Sequence, residues 1–163
     1  MEWADHDRWA EKFGISERVS REVNKIIDSI DQGGSLPSEY EKHLEVCSQK
    51  WADEKGAAKG NSALGMVIKE NTKRGHDKSR GAKTDTDIAA EVQHCAMQRL
   101  GEDYVNAWYL HHHLDYLHEN RNADKNTEKL ISEYEEKHPS TYSKEVANFL
   151  LENERELSDE LGI

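Results

Sequence analysis

Cysteine, proline and phenylalanine are each present only twice in this 163-residue chain. Cys47 and Cys95 form no CxxC pair, which excludes a cysteine-paired zinc motif or a thioredoxin-type redox motif. Both fall at helical core spacing and are expected to be small buried residues of a reduced protein. Long apolar runs are missing too: none approaches the ~18 consecutive apolar residues that suggest a membrane-spanning helix. The N-terminal MEWADHDRWAEKF has no basic region followed by an apolar stretch, so no secretory leader and a cytoplasmic location are expected. No window alternates polar and apolar residues with β-branched enrichment, so no strands are expected.

Positive charge is also in short supply. Lys and Arg total 22 against 33 Asp and Glu, a formal net charge of -11. That balance argues against nonspecific binding to nucleic acid or anionic membrane as the business of the whole surface. Hydrophobic residues make up 35% of the chain and mean hydropathy is -0.99. Those values approach the edge of what folds. A core must therefore come from regular placement of few apolar residues.

That regularity is helical. Trp3, Trp9, Ala10 and Phe13 recur at helical spacing before Gly14, which is suited to end a short helix. His6-Asp7 on this helix reads as a solvated polar face. Ser16 can cap a second helix with Val19, Val23, Ile26, Ile27 and Ile30 on one side, ended by Gly33-Gly34. Pro37, Ser38 and Glu41 give a capping-box start for a third, with Tyr40, Leu44, Cys47 and Trp51 at spacings of four, three and four. Residues 56–84 hold five of the ten glycines and only a short apolar stretch, Ala63 to Ile68. They read as a Gly/Lys-rich loop region. Asp85–Leu100 then presents Ile88, Val92, Cys95 and Ala96, and Asp103–Arg121 follows almost at once. So short a connection suggests an antiparallel pair. Leu130, Ile131 and Tyr134 define a helix stopping before Pro139. Ser143 is suited to cap a last one carrying Val146, Phe149, Leu150, Leu157 and Leu161. The expected architecture is all-α: a single-domain irregular bundle of roughly six to eight helices with a central antiparallel pair.

One stretch, EDYVNAWYLHHHLDYLHENR from Glu102 to Arg121, holds four of the nine histidines. Ala107, Leu110, Leu114 and Leu117 form one stripe, and Val105, Trp108, Tyr109, His112 and Tyr116 another. Two apolar faces imply a helix packed on both sides, and would also suit a homodimer interface. His111, Asp115 and His118, at i, i+4 and i+7, can converge on one point. Imidazole and carboxylate together suit zinc or iron, with Glu91 and His94 of the preceding helix as further candidate ligands. Acid-x-x-His pairs themselves (Glu91/His94, Asp115/His118, Glu135/His138) add little, because an acid-rich chain with nine histidines produces a few by chance.

A second cluster is basic. Lys69 to Lys83 carries six Lys/Arg against Glu70 and Asp77. Lys73, Arg74, Lys78, Arg80 and Lys83 are candidates for holding phosphate or a nucleic-acid backbone. The segment lacks stacking aromatics and a P-loop pattern.

No serine or cysteine has the turn signature of an activated nucleophile, and no active site assembles from spacing alone. The expected function is a small cytoplasmic, non-catalytic helical protein that binds another protein. Two alternatives stand beside it. One is a metal-binding or metal-dependent helical protein of hydrolase or di-metal type. The other is a phosphate or nucleic-acid binder acting through the basic loop.

Overall fold

The computed structural model describes residues 1–28, 36–55, 62–73, 83–122 and 124–163, with backbone alone at Ser62, Asn71, Lys73 and 83–87. Among these residues there are nine α-helices and no strand. They are α1 (Trp3–Phe13), α2 (Glu17–Asp28), α3 (Ser38–Lys55), α4 (Ser62–Lys73) and α5 (Lys83–Leu100), then α6 (Glu102–Asn120), α7 (Thr127–Lys137), α8 (Thr141–Glu152) and α9 (Glu154–Leu161). No described helix is long and apolar enough to cross a membrane. The residues sort into two compact units. A terminal unit comprises Met1–Arg21 and Val105–Ile163, and a middle unit comprises Glu22–Tyr104.

In the terminal unit, α1 ends where the sequence says it should. Gly14 takes φ 91, a left-handed conformation that costs glycine little, and its N–H reaches the carbonyls of Ala10 and Glu11. Ile15 follows it into the core, its N–H bonded to Ala10 O at 2.9 Å. Trp9 is fully buried, donating Nε1–H to Glu160 at 2.9 Å and meeting Phe149 edge-on at 6.1 Å. Arg8 and Lys12 pair with Glu160 and Glu156, so α1 is fastened to α9 by charge as well as by apolar contact. α6 buries every residue from Val105 to His111, then His113, Leu114 and Leu117. Burial all round that first half fits its expected packing on more than one side.

The expected last helix is two. α8 is capped by Ser140, whose side chain accepts from Ser143 N at 3.0 Å, while Ser143 itself is fully buried. The extended backbone of Ser140 places its hydroxyl, not that of Ser143, at the orphan amides. Asn153 then divides α8 from α9 and returns its side-chain amide to Phe149 O at 2.8 Å. This break is one reason the helices outnumber the expectation. Val146, Leu150, Leu157 and Leu161 are buried as their spacing predicts.

In the middle unit, α3 packs on both α4 and α5, and α4 on α5. Gly65 lets α4 approach closely. A Cβ there would strike the Gln49 carboxamide and lie 3.4 Å from Gln49 Cα. Within this unit α5 has α3 as its most extensive partner. Links at three successive levels join the pair among the described residues: Arg99 Nε to His43 Nδ1 at 3.0 Å, a disulfide between Cys47 and Cys95, and Glu91, which accepts from Trp51 Nε1 at 2.7 Å and from Lys55 Nζ at 2.8 Å. Each step forward by four residues on α3 is a step back by four on α5, so the helices run antiparallel in fixed register. The disulfide corrects the expectation of two separate reduced cysteines. Each falls on the stripe that its helix turns toward the other, and their Cα atoms are 5.9 Å apart.

Candidate metal centre

The terminal unit brings three ligand-type side chains together: His6 of α1 and His111 and Asp115 of α6. One ligand atom from each lies within 4.8 Å of the others. His6 Nε2 stands 3.0 Å from one Asp115 oxygen and His111 Nε2 stands 3.1 Å from the other. The imidazole rings are 3.9 Å apart at 33°. Both histidine side chains are almost wholly buried, at 3% and 1% exposure, while Asp115 keeps 19% and gives the cluster its opening.

The local reasons are simple. On α6, residues 111 and 115 are one turn apart and share a face. On α1, Trp3, His6, Ala10 and Phe13 follow at three, four and three, which puts His6 on the packed stripe. The solvated reading of His6 is therefore corrected. A spacing signal existed, but the imidazole's polarity and the adjacent Asp7 masked it. Asp7 turns elsewhere, accepting from Ser20 Oγ at 2.6 Å.

Electrostatics favour a neutral His6. Burial, the largest influence, pushes its pKa below the ordinary 6.5; Asp115 opposes this, while His111 and the Met1 ammonium reinforce it. That ammonium lies 3.8 Å from Asp115. Nε2 of His6 is close to the carboxylate, and among the described residues its Nδ1 has no hydrogen-bond partner. A neutral buried imidazole with such atoms is costly unless something accepts its lone pair.

Of the five ligands expected from sequence, His111 and Asp115 are thus brought together, and His6 joins them. His118 lies half-buried on the next turn, outside the 4.8 Å set, its pKa lowered first by burial. Glu91 belongs to the middle unit. There it accepts from Trp51 and, at 2.8 and 2.9 Å, from Lys55, which together hold its carboxyl below the usual range. His94 is half-buried in the same unit, its pKa lowered by burial.

The other two histidines of the triplet pack. His112 meets Trp108 edge-on at 4.6 Å. His113 is fully buried, 4.1 Å from the Tyr134 ring, with Nε2 3.2 Å from Ser143 Oγ. Burial pushes its pKa down to about 3, helped by His138. A serine and a histidine at this distance could suggest a nucleophile, but both are 0% exposed and no substrate reaches them.

Of the basic set, Arg74, Lys78 and Arg80 lie outside the described residues. Lys73 ends α4 and Lys83 begins α5. No family model, no curated protein and no solved structure matches the chain, so the site rests on its own geometry.

Proposed function

We propose that this is a metal-binding helical protein in which His6, His111 and Asp115 hold one divalent first-row transition ion, zinc being the ion best suited to the donor set. The convergence of the three ligand atoms is the observation that carries the reading. Ligands about 2.0–2.2 Å from an ion at tetrahedral or octahedral angles stand roughly 3.0–3.5 Å from one another. The Nε2–oxygen separations of 3.0 and 3.1 Å, each to a different oxygen of Asp115, are compatible with that range, and the three ligand atoms lie within 4.8 Å of one another. Two imidazoles and a carboxylate are borderline donors, suited to zinc or iron more than to calcium or magnesium.

The role that fits best is structural. Both histidines are buried, and the ligands come from α1 and α6, so an ion there fastens the N-terminal helix to the histidine-rich helix. The partly exposed side of Asp115 leaves room for water as a further ligand. Elemental analysis of tag-free protein, with thermal melts in the presence and absence of a chelator, is the test. Near-stoichiometric metal, lost on His6→Ala and with a chelator-sensitive melt, is the expected result. Metal-free protein that takes up no added zinc retires the reading in favour of a His–Asp–His packing cluster.

A second reading, binding to a partner protein, is favoured by Val46, Met66 and Val67, which are exposed on α3 and α4 at 45%, 67% and 55%. Exposed apolar side chains on helices that pack together suit a contact surface where they form a continuous patch. Met66→Glu with Val67→Glu should abolish any concentration-dependent association without lowering the melting temperature. Sedimentation at several concentrations reads this, and a native protein that stays monomeric while capturing no partner counts against it.

A further inference from the structure

The disulfide lies at the middle level of the described links between α3 and α5, and those on either side are polar. His43–Arg99 lies one turn to one side, and Trp51–Glu91, reinforced by Lys55, one turn to the other. Only the middle link is covalent, and only it changes with thiol chemistry. Its two residues are unequally placed: Cys47 is 2% exposed, whereas Cys95 is half-buried and is the more accessible half of the bond. The chain has no other cysteine, so any thiol response is confined to the middle unit.

We propose that Cys47–Cys95 is a redox-sensitive latch on the α3–α5 pair. A thiolate of a small dithiol attacks the Cys95 sulfur, forming a mixed disulfide and releasing Cys47 as its thiolate. The second thiolate of the dithiol then attacks the mixed disulfide, releasing Cys95 and leaving the reductant as its own disulfide. Two electrons pass to the protein, and the two cysteine thiolates take up protons. Any two-electron oxidant of thiols reverses the change. The packing of α3 on α5, with the flanking polar links, keeps the register in the reduced state, so the pair loosens without separating and the cysteines stay positioned to re-form the bond. What the middle unit presents then follows the thiol–disulfide poise of its surroundings. A bond that cycles in this way also suits a reducing compartment, where disulfides are mostly transient or sensing ones.

The test uses the tag-free full chain without denaturant. Protein is incubated with dithiothreitol, alkylated with iodoacetamide and mapped by mass. Hydrogen exchange is followed in parallel on oxidised, reduced and re-oxidised samples. The expected result is alkylation of both Cys47 and Cys95 only after dithiothreitol. Amide exchange in α3 and α5 should then rise by roughly tenfold or more while α7, α8 and α9 stay unchanged, and re-oxidation should restore the original rates. Brief exposure to glutathione should leave the mixed disulfide on Cys95. Resistance to dithiothreitol in the absence of denaturant overturns the proposal and makes the bond a fixed staple. So does full reduction with no change in α3 and α5 exchange, or failure to re-oxidise.

Discussion

Cys47 and Cys95 are joined midway along an antiparallel ladder, one helical turn from the His43–Arg99 contact and one turn from the Trp51–Glu91 contact. The sequence separation of 48 sets how much freedom the bond removes from the unfolded chain. In the chain-entropy account a loop of that length corresponds to about 4 kcal/mol. Cys47→Ser with Cys95→Ser, or reduction, should lower the stability of the middle unit by an amount of that order. Urea unfolding followed by probes in α3 or α5 measures it. A change below about 1 kcal/mol would mean that the unfolded chain already holds these two segments close together.

Replacing Asp115 by Asn keeps the shape of the candidate centre and removes its only carboxylate. Metal content should fall to background in Asp115→Asn and His111→Ala as in His6→Ala, with helical circular dichroism retained. If the ion is structural, native protein at a metal concentration one hundred times Kd gains about 2.7 kcal/mol that the variants lack. Variants that lose as much stability in chelator as they do in zinc would instead report plain packing, expected at about 1–3 kcal/mol.

His113 makes the fold acid-sensitive. Its pKa falls from the ordinary 6.5 when unfolded to about 3 when buried, so below pH 6.5 the unfolded chain binds a proton that the folded chain refuses. The contribution is fully present above 6.5 and is lost as pH falls toward 3. The slope approaches about 1.4 kcal/mol per pH unit. Urea midpoints measured across that window should show it, and His113→Phe should flatten it. An unchanged profile in the variant would place the acid sensitivity elsewhere.

Glu91 gives the opposite kind of evidence, from a surface position. Its carboxyl is held low by Lys55 first and Trp51 second, so its contribution is present above the ordinary 4.5 and disappears as pH falls through the lower folded value. Water screens the pair, which limits the effect to below about 1 kcal/mol. Glu91→Gln should therefore cost little at pH 7, and wild type and variant should converge in acid.

The helices, most of their ends and most of the core were legible in the sequence, because helical burial follows from short-range spacing. Val19, Val23, Ile26 and Ile27 share a face wherever their helix packs, and Gly14 adopts a left-handed conformation for local steric reasons. The i, i+4 pairing of His111 with Asp115 was legible on the same ground. What spacing does not carry is which face meets which. Only the tertiary structure set His6 of α1 beside that pair, a contact between residues more than a hundred positions apart. Only the tertiary structure set Cys47 opposite Cys95, and gave α3 to α5 as its antiparallel partner. The burial of His6 was decided there as well. A histidine beside an aspartate looks solvated until the packing of a whole helix covers it, and the imidazole's hydration is given up against the burial of Trp9, Ala10 and Ile15 alongside.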